Sequence, residues 1–499
     1  RCSMPATDHH SPTVIDGDIE TVVPGSAPAR AASGTAPEDD RHLVTGPIVK
    51  TLALFALPLL TTNVLHSISG TWSAIWVSRV LGPDALVAVA NANVFLFMMM
   101  GVVLGVGGAA GIMIGQAIGV DDRREVKRIV GTSISFVALA STTLAAVGYW
   151  QTPAIIALIE IPLGARDEAL TYFRVLCLSM PPIFTFIYMM MMMRGTGDAR
   201  TPFIFSCIWI GLTILLVPLL LVGWGPVPKL GIAGAALAGL IGNATALLLL
   251  VGHIYLRGHP IALKLSDFHH FRIDPRLLWL LLTKGAPMAL EMLVIQGAYF
   301  VLLAMVNGYG LVTAAGYAAA AQLWAYVQMP AMAFAASMSA MVAQNIGADR
   351  WDRVREIALK GTGVAILSTG SVCLLVYALG DWPLRLFLPE GGEPLEVARE
   401  INYVVLWGWI VLAITSGLSA VVRANGAMIP PTIIYAITMW ALRIPFARAL
   451  QPWLEERAIW WSFPLGTVSS AVLAFAYWRW GKWRDNALLV KRQAPPARS

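Results

Sequence analysis

The sequence predicts an all-α membrane protein of twelve transmembrane helices arranged as two pseudo-symmetric six-helix bundles. Three observations carry this expectation. Of 499 residues, 57% are hydrophobic and 13% are charged, about half the roughly 25% charge of an ordinary soluble domain. The hydrophobic residues gather in long runs, and about 20 such residues carry a helix across roughly 30 Å of hydrocarbon with its backbone hydrogen bonds satisfied internally. The chain also repeats itself half-way along.

Residues 1–44 are polar and rich in Ala, Pro, Ser, Thr and Asp. They lack the apolar stretch of a signal peptide and read as a disordered tail. Apolar runs bounded by charge, Gly or Pro then place the first six spans near Pro47, Ala85, Val126, Glu168, Thr201 and Gly231, a bundle over 45–257. A polar cytoplasmic linker follows at 258–275, with Lys264, His269, His270 and Arg272. The second bundle, 276–484, has spans starting near Arg276, Val312, Val354, Val397, Met428 and Ile459, and a basic tail closes the chain at 485–499.

Lys and Arg mark the sidedness. The even-numbered connections hold clusters such as Arg123, Arg124, Lys127 and Arg128, and Arg350, Arg353, Arg355 and Lys360, whereas the odd-numbered ones hold scattered residues such as Arg79, Arg166 and Lys229. The positive-inside rule therefore places both termini in the cytoplasm. Trp460 and Trp461, with Trp478, Trp480 and Trp483, read as aromatic belts at the two ends of span twelve, and Arg174 and Arg443 as side chains snorkelling to the outer interface.

The duplication rests on three anchors. Gln116-Ala-Ile-Gly119-Val-Asp121 matches Gln344-Asn-Ile-Gly347-Ala-Asp349 at an offset of 228. Arg194-Gly-Thr-Gly197 with Pro202 matches Arg423-Ala-Asn-Gly426 with Pro431 at 229, as Pro58 in span one matches Pro287 in span seven. Six spans per repeat is an even number, so both halves enter from the same side and are related by an axis along the membrane normal, with a central cleft between them.

Several classes are excluded by what the sequence lacks. The net charge of +6 lies in short runs between spans, not in a nucleic-acid-binding stripe. Cys2, Cys177, Cys207 and Cys373 are scattered, without disulfide or metal-ligand spacing. No phosphate-binding loop, His-Glu-x-x-His or Gly-x-Ser-x-Gly motif occurs, so neither an ATPase nor another enzyme is indicated, and no cofactor is expected.

The ionisable residues inside spans are the functional candidates, because charge at the bilayer centre costs at least about 2.5 kcal/mol and usually faces a cavity. Glu291, in the middle of span seven, is expected to exchange protons as its exposure changes. His66 in span one is either a second titrating group or a neutral interior histidine. Asn63, Ser73, Gln296, Tyr299, Gln322 and Trp324 join them as polar or aromatic lining of a cleft between spans one, two, seven and eight. Gly107, Gly111, Gly115 and Gly119 form a small-residue stripe suited to close helix packing. Met189 to Met193 suit either an adaptable drug-binding wall or core.

The Arg-x-x-Gly-x-x-x-x-Pro pattern after spans four and ten, the Gln-x-x-Gly motif after span two, Pro58, Gly82, and Gly231-Ile-Ala-Gly234 opening span six resemble the multidrug and toxic compound extrusion (MATE) family over residues 46 to 482. The resemblance implies a bacterial inner-membrane antiporter, a monomer in the lipid bilayer, that expels small amphipathic or cationic compounds against an inward H+ or Na+ gradient. Many members of that family carry an Asp late in span one and an Asn and Asp in span five. Aligned on Pro58, Gly82 and Pro218, this chain has Ser73, Thr213 and Val217. The same fold also admits a lipid-linked saccharide flippase, or a membrane sensor or scaffold that does not transport.

Overall fold

The computed structural model describes residues 42–158, 166–223, 228–263 and 271–486. Residues 1–41, the linker segment with Lys264, His269 and His270, and the basic tail beyond 486 lie outside the described residues. The described chain has 12 helices long and apolar enough to cross a membrane. Spans one to six are Ile48–Leu81, Pro83–Gly119, Arg123–Leu158, Arg166–Thr196, Arg200–Val222 and Gly231–Arg257. Spans seven to twelve are Pro275–Asn307, Leu311–Gly347, Trp351–Leu379, Glu393–Ala424, Ile429–Leu454 and Arg457–Trp480.

Each helix starts within four residues of its expected position. Span eight is broken into Leu311–Val327 and Met329–Gly347, because Pro330 has no N–H to continue the ladder. The short helix His42–Thr45 begins inside the segment read as tail, and Leu43 is buried. Asn345, Arg350 and Arg353 donate to the carbonyls of Leu43, Val44 and Gly46.

Large apolar side chains such as Leu248, Leu311, Leu367 and Leu374 point outward along many spans, far more than an aqueous surface carries in contiguous patches. Span seven illustrates the inverted pattern. It buries Leu277, Leu281, Gly285, Glu291, Ala298, Leu302 and Val306 as one narrow stripe and leaves Leu290, Leu293, Phe300 and Leu303 outside, where lipid is their solvent.

The repeat is written in the backbone. Gly82 (φ +91°) corresponds to Gly310 (+100°), Asp121 (62°) to Asp349 (55°), and Gly197 (+99°) to Gly426 (+89°). These left-handed conformations favour Gly and tolerate Asp, so the two halves turn their chains at equivalent points. Two expectations are corrected. Trp460, Trp478 and Trp483 are buried, and Trp461 and Trp480 remain exposed, because the chain's last helix and the turn after it pack against spans eight, nine and ten. Arg443 is 2% exposed and does not snorkel, since its helix turns it inward. Arg174 is exposed, with its guanidinium 5.6 Å from the Tyr149 ring.

The end of the linker ties the halves together. Asp274 caps span seven by accepting from the amides of Arg276 and Leu277, and Arg128 of span three donates to the same carboxylate. Arg128 also donates to Glu125. A charged cleft of about 400 Å³ lined by Asp122, Arg124, Glu125, Arg128, Thr132, Arg272 and Asp274 sits here, away from the midplane.

The hydrogen bond from Arg128 holds the Asp274 carboxyl below its usual range against opposing burial, and the Leu277 and Arg276 amides assist. A depressed carboxyl contributes stability above its unfolded value of about 3.9, and that stability is lost as pH falls through the folded value. Asp274→Ala is expected to cost about 1 kcal/mol of stability at neutral pH. Asp274→Asn, which keeps a cap but loses the charge, should cost less, and its deficit should shrink as acid neutralises the wild-type carboxylate. Thermal unfolding of the purified protein at neutral and acid pH measures both; an Asn deficit independent of pH would remove the ion pair from the account.

Candidate functional site

The two Gln-x-x-Gly motifs meet face to face. An added Cβ at Gly119 would stand 2.1 Å from the Gln344 carbonyl oxygen and 2.9 Å from Gly347 Cα, and one at Gly347 would stand 2.1 Å from the Gln116 carbonyl oxygen. Only Gly permits that approach. Around the contact, Gln116 Nε2 donates to the Ala424 carbonyl at 2.7 Å, and Gln344 Nε2 donates to the Gly195 carbonyl at 3.0 Å. Gly195 and Ala424 are themselves equivalent positions of the Arg-x-x-Gly motifs. Each half therefore lends one amide to the other half's turn, and the pair forms a reciprocal clasp about the pseudo-twofold axis.

The glycine stripe of span two divides its work. Gly107 and Gly111 receive Met191 and Tyr188 of span four, whereas Gly115 meets Ala343 across the halves. Higher along the same seam, Gly105 lies against Gly285 and Ala289 of span seven. Ser67 of span one donates to the Tyr326 hydroxyl of span eight at 3.2 Å. Tyr326 joins the seam although sequence reasoning passed over it, and its position four residues from Gln322 on the same helix is the signal that was available.

The expected cleft residues do not converge on one site. Glu291 faces the interior of the C-terminal half, 6% exposed, where Arg423 Nη1 donates to its Oε1 at 2.6 Å. Lys284 donates to the Gly426 carbonyl, and Thr432 to the Pro287 carbonyl, so spans seven, ten and eleven are laced together around this pair. Trp324 is buried in the same half and donates to Asn402 Oδ1 at 2.9 Å. Tyr299 lies beside Phe463 and Arg443. Gln296 and Gln322 are exposed.

His66 belongs to the N-terminal half. Its ring packs edge-on against Trp209 of span five at 4.7 Å, and Trp209 in turn contacts Phe186 of span four. Asn63 and Ser73 are half-buried on the same helix. Thr213 donates to the Trp209 carbonyl, and Val217 is buried. Met189, Met190, Met192 and Met193 are core residues of this half. Arg194 is the counterpart of Arg423, yet its Nε meets no acceptor among the described residues. Pro202 and Pro431 are buried at the starts of spans five and eleven.

Glu291 thus carries a partner that periodicity did not reveal. Arg423 was readable as the basic residue that ends a helix, but its side chain turns back into the bundle. Among the described residues, Glu291 and Arg443 are the charged side chains with buried status, and no group of three or more His, Cys, Asp or Glu is placed to hold a metal.

A family model described as MatE matches residues 58–219 and again 287–448, two stretches separated by the repeat offset. The chain is 31% identical to a probable multidrug resistance protein, YoeA, of Bacillus subtilis over 444 residues, 88% of this chain and 96% of the relative. It is 26% identical to YpnP, another probable multidrug resistance protein of that organism, over 453 residues, 90% and 98% of the two chains. Among solved structures, a crystal structure of MATE in the bent conformation superposes with a TM-score of 0.81 at 19% identity, covering 88% of this chain and 96% of that one, a likeness of fold.

Two expectations follow. Gly119→Ala should separate the clasp, so that a cysteine placed at Ala343 in a cysteine-free background becomes labelled by a maleimide at least about fivefold faster, the effect of about 1 kcal/mol on the open–closed balance; unchanged labelling would sink the clasp as the closing element. Removing Glu291 alone strands a largely buried guanidinium, so Glu291→Met should lower stability by roughly 3 kcal/mol, whereas Glu291→Met with Arg423→Met should recover most of it. Denaturation midpoints of the four proteins of that cycle decide the matter.

Proposed function

From the premise that the chain belongs to the MatE family, we propose that this multi-pass membrane protein is a secondary active multidrug exporter working by alternating access. The observation that carries the reading is the reciprocal Gln116–Ala424 and Gln344–Gly195 clasp between two equivalent halves. Two bundles held together at one end by a pair of direct hydrogen bonds can rock about a central seam, opening one end as the other closes.

The clasped end is the cytoplasmic one, because it carries the basic clusters around Arg123 and Arg350. Both termini then lie in the cytoplasm of a bacterial inner membrane. In this conformation the inner gate is shut, and substrate that entered from inside leaves on the far side. The cargo is small and amphipathic, and an inward H+ or Na+ gradient returns the carrier. The protein works as a monomer, since each chain supplies both halves of the gate.

Coupling falls on the Glu291–Arg423 pair. Ser73, Thr213 and Val217 offer no carboxylate to the N-terminal half. Protonating Glu291, or binding a cation to it, releases Arg423 and with it the turn whose next residue, Ala424, accepts from Gln116. The ion pair and the clasp therefore share one segment, Arg423 to Gly426.

The test is efflux of ethidium from proteoliposomes under an imposed H+ or Na+ gradient. Gradient-driven efflux by the wild type, reduced at least about tenfold in Glu291→Gln, corresponds to loss of about 1.4 kcal/mol or more of coupling. Wild-type efflux that survives the substitution keeps the exporter and rejects Glu291 as its coupling group. Failure of the wild type to move dye under either gradient counts against export.

A further inference from the structure

Span one is entered through a short segment that both halves hold. The helix His42–Thr45 is followed by Gly46 and Pro47 before Ile48 opens the span. Pro47 has no N–H, so the Leu43 carbonyl lacks the amide that a continuous helix would offer it four residues on. The C-terminal half supplies the donors instead. Asn345 Nδ2 donates to the Leu43 carbonyl at 3.1 Å, Arg350 Nη1 to that of Val44 at 2.9 Å, and Arg353 Nη2 to that of Gly46 at 2.6 Å. A guanidinium suits the carbonyl end of a helical turn.

The Leu43 side chain acts on both halves. It is 1% exposed and belongs to one core cluster with Met341, Ile346, Val354 and Ile357 of spans eight and nine. It also reaches the N-terminal half: an added Cβ at Gly197 would stand 3.1 Å from Leu43 Cδ1 and 3.2 Å from Gln344 Nε2. Leu43 therefore sits against the turn at 194–197, whose Gly195 carbonyl receives Gln344.

The repeat presents a related arrangement on the other side. Phe271, 228 residues after Leu43, accepts at its carbonyl from Ser135 of span three, and Asp274 accepts from Arg128 of the same span. Each half's first span is thus entered by a segment tied to the third span of the opposite half. The linker segment is held through a carboxylate, and residues 42–46 through backbone carbonyls and an apolar wedge.

We propose that residues 42–46 are a strap over the clasp, docked while the inner gate is shut and released each time it opens. This rests on the reading of the clasp as the inner gate. When the halves part at this end, Gly197 moves with one half, and Asn345, Arg350 and Arg353 move with the other. Leu43 cannot follow both. Undocking bares its side chain to water, so the burial of Leu43 favours the closed gate.

The reporter is Ala343→Cys in a cysteine-free background, a buried position at the seam, labelled by a maleimide in the full-length protein in lipid nanodiscs. Leu43→Asp should speed labelling at least about tenfold, since a buried apolar contact is lost and a charge must leave the notch. Arg353→Gln, which keeps a donor and loses the charge, should speed it about threefold. Leu302→Ala, a truncation in a separate core cluster of the C-terminal half, should lower the unfolding midpoint without speeding labelling. The converse variant holds the strap down. Gly46→Cys with Arg353→Cys in the same background, bridged by a bis-methanethiosulfonate in proteoliposomes, should lose ethidium efflux at least about tenfold and regain it on reduction.

Unchanged labelling in Leu43→Asp and Arg353→Gln overturns the proposal, as does efflux that continues with the strap bridged. Labelling that Leu302→Ala speeds as much as Leu43→Asp does assigns Leu43 a general packing role and also overturns it. Arg353→Gln and the bridged pair decide the matter should Leu43→Asp fail to fold. Ethidium efflux by the wild type reports separately on export, and labelling needs no transport, so a failed strap and a failed exporter are told apart.

Discussion

The contact between Gly119 and Gly347 sets the geometry of everything above it. Two backbones approach where a methyl group would strike a carbonyl oxygen at 2.1 Å, and the glutamines beside them exchange donors with the opposite half. Because Gln116 and Gln344 are equivalent, as are Gly195 and Ala424, the contact satisfies itself only when both halves present the same conformation. The left-handed Asp121 and Asp349 that follow are the turns that let each chain leave the axis. Small residues at this point remove side-chain bulk, which in a membrane is what brings helices together.

The halves share a frame but not an electrostatic character. Thr62 stands at the position equivalent to Glu291, and its hydroxyl donates to the Pro58 carbonyl instead of receiving an arginine. Among the described residues, Arg194 consequently lacks the carboxylate that its counterpart Arg423 has. The N-terminal half buries methionines and packs a half-buried His66 against Trp209, and the C-terminal half holds the Glu291–Arg423 pair, a buried Arg443 and a chain of aromatic rings. Duplication supplied two equivalent containers, and substitution filled them with different chemistry.

What the sequence disclosed follows the range of the interactions involved. Spans, their order and the repeat are properties of apolar runs and of Gly, Pro and Gln at fixed spacing, so each helix could be placed to within a few residues. The packing role of Gly107 to Gly119 followed from helical periodicity in the same way. The partner of Glu291 sits 132 residues away, and nothing local distinguishes an arginine that ends a helix in water from one that folds back into the bundle. Arg443 misled for the same reason: a basic residue within an apolar span ordinarily snorkels, and only the π-helical turn and the facing Phe463 direct it inward. The expected lining residues lie apart because Glu291 and Trp324 take partners within the C-terminal half and His66 packs on Trp209 in the N-terminal half, while Gln296 and Gln322 are exposed.

These facts together constrain how a gradient acts on the gate. A carboxylate buried with one guanidinium contributes little net stability, which suits a switch better than a lock. Neutralising Glu291 does not by itself open the protein; it changes what Arg423 must do, and Arg423 heads the turn whose Ala424 carbonyl holds Gln116. The opposite turn, headed by Arg194, has no carboxylate partner among the described residues, and its guanidinium lies within electrostatic reach of His66 instead. One clasp turn therefore begins at an arginine paired with a carboxylate, and the other at an arginine within electrostatic reach of an imidazole. On the coupling proposed above, a gate built from two equivalent bonds acquires direction in this way, since the Gln116–Ala424 and Gln344–Gly195 bonds answer to groups of different chemistry and do not yield together.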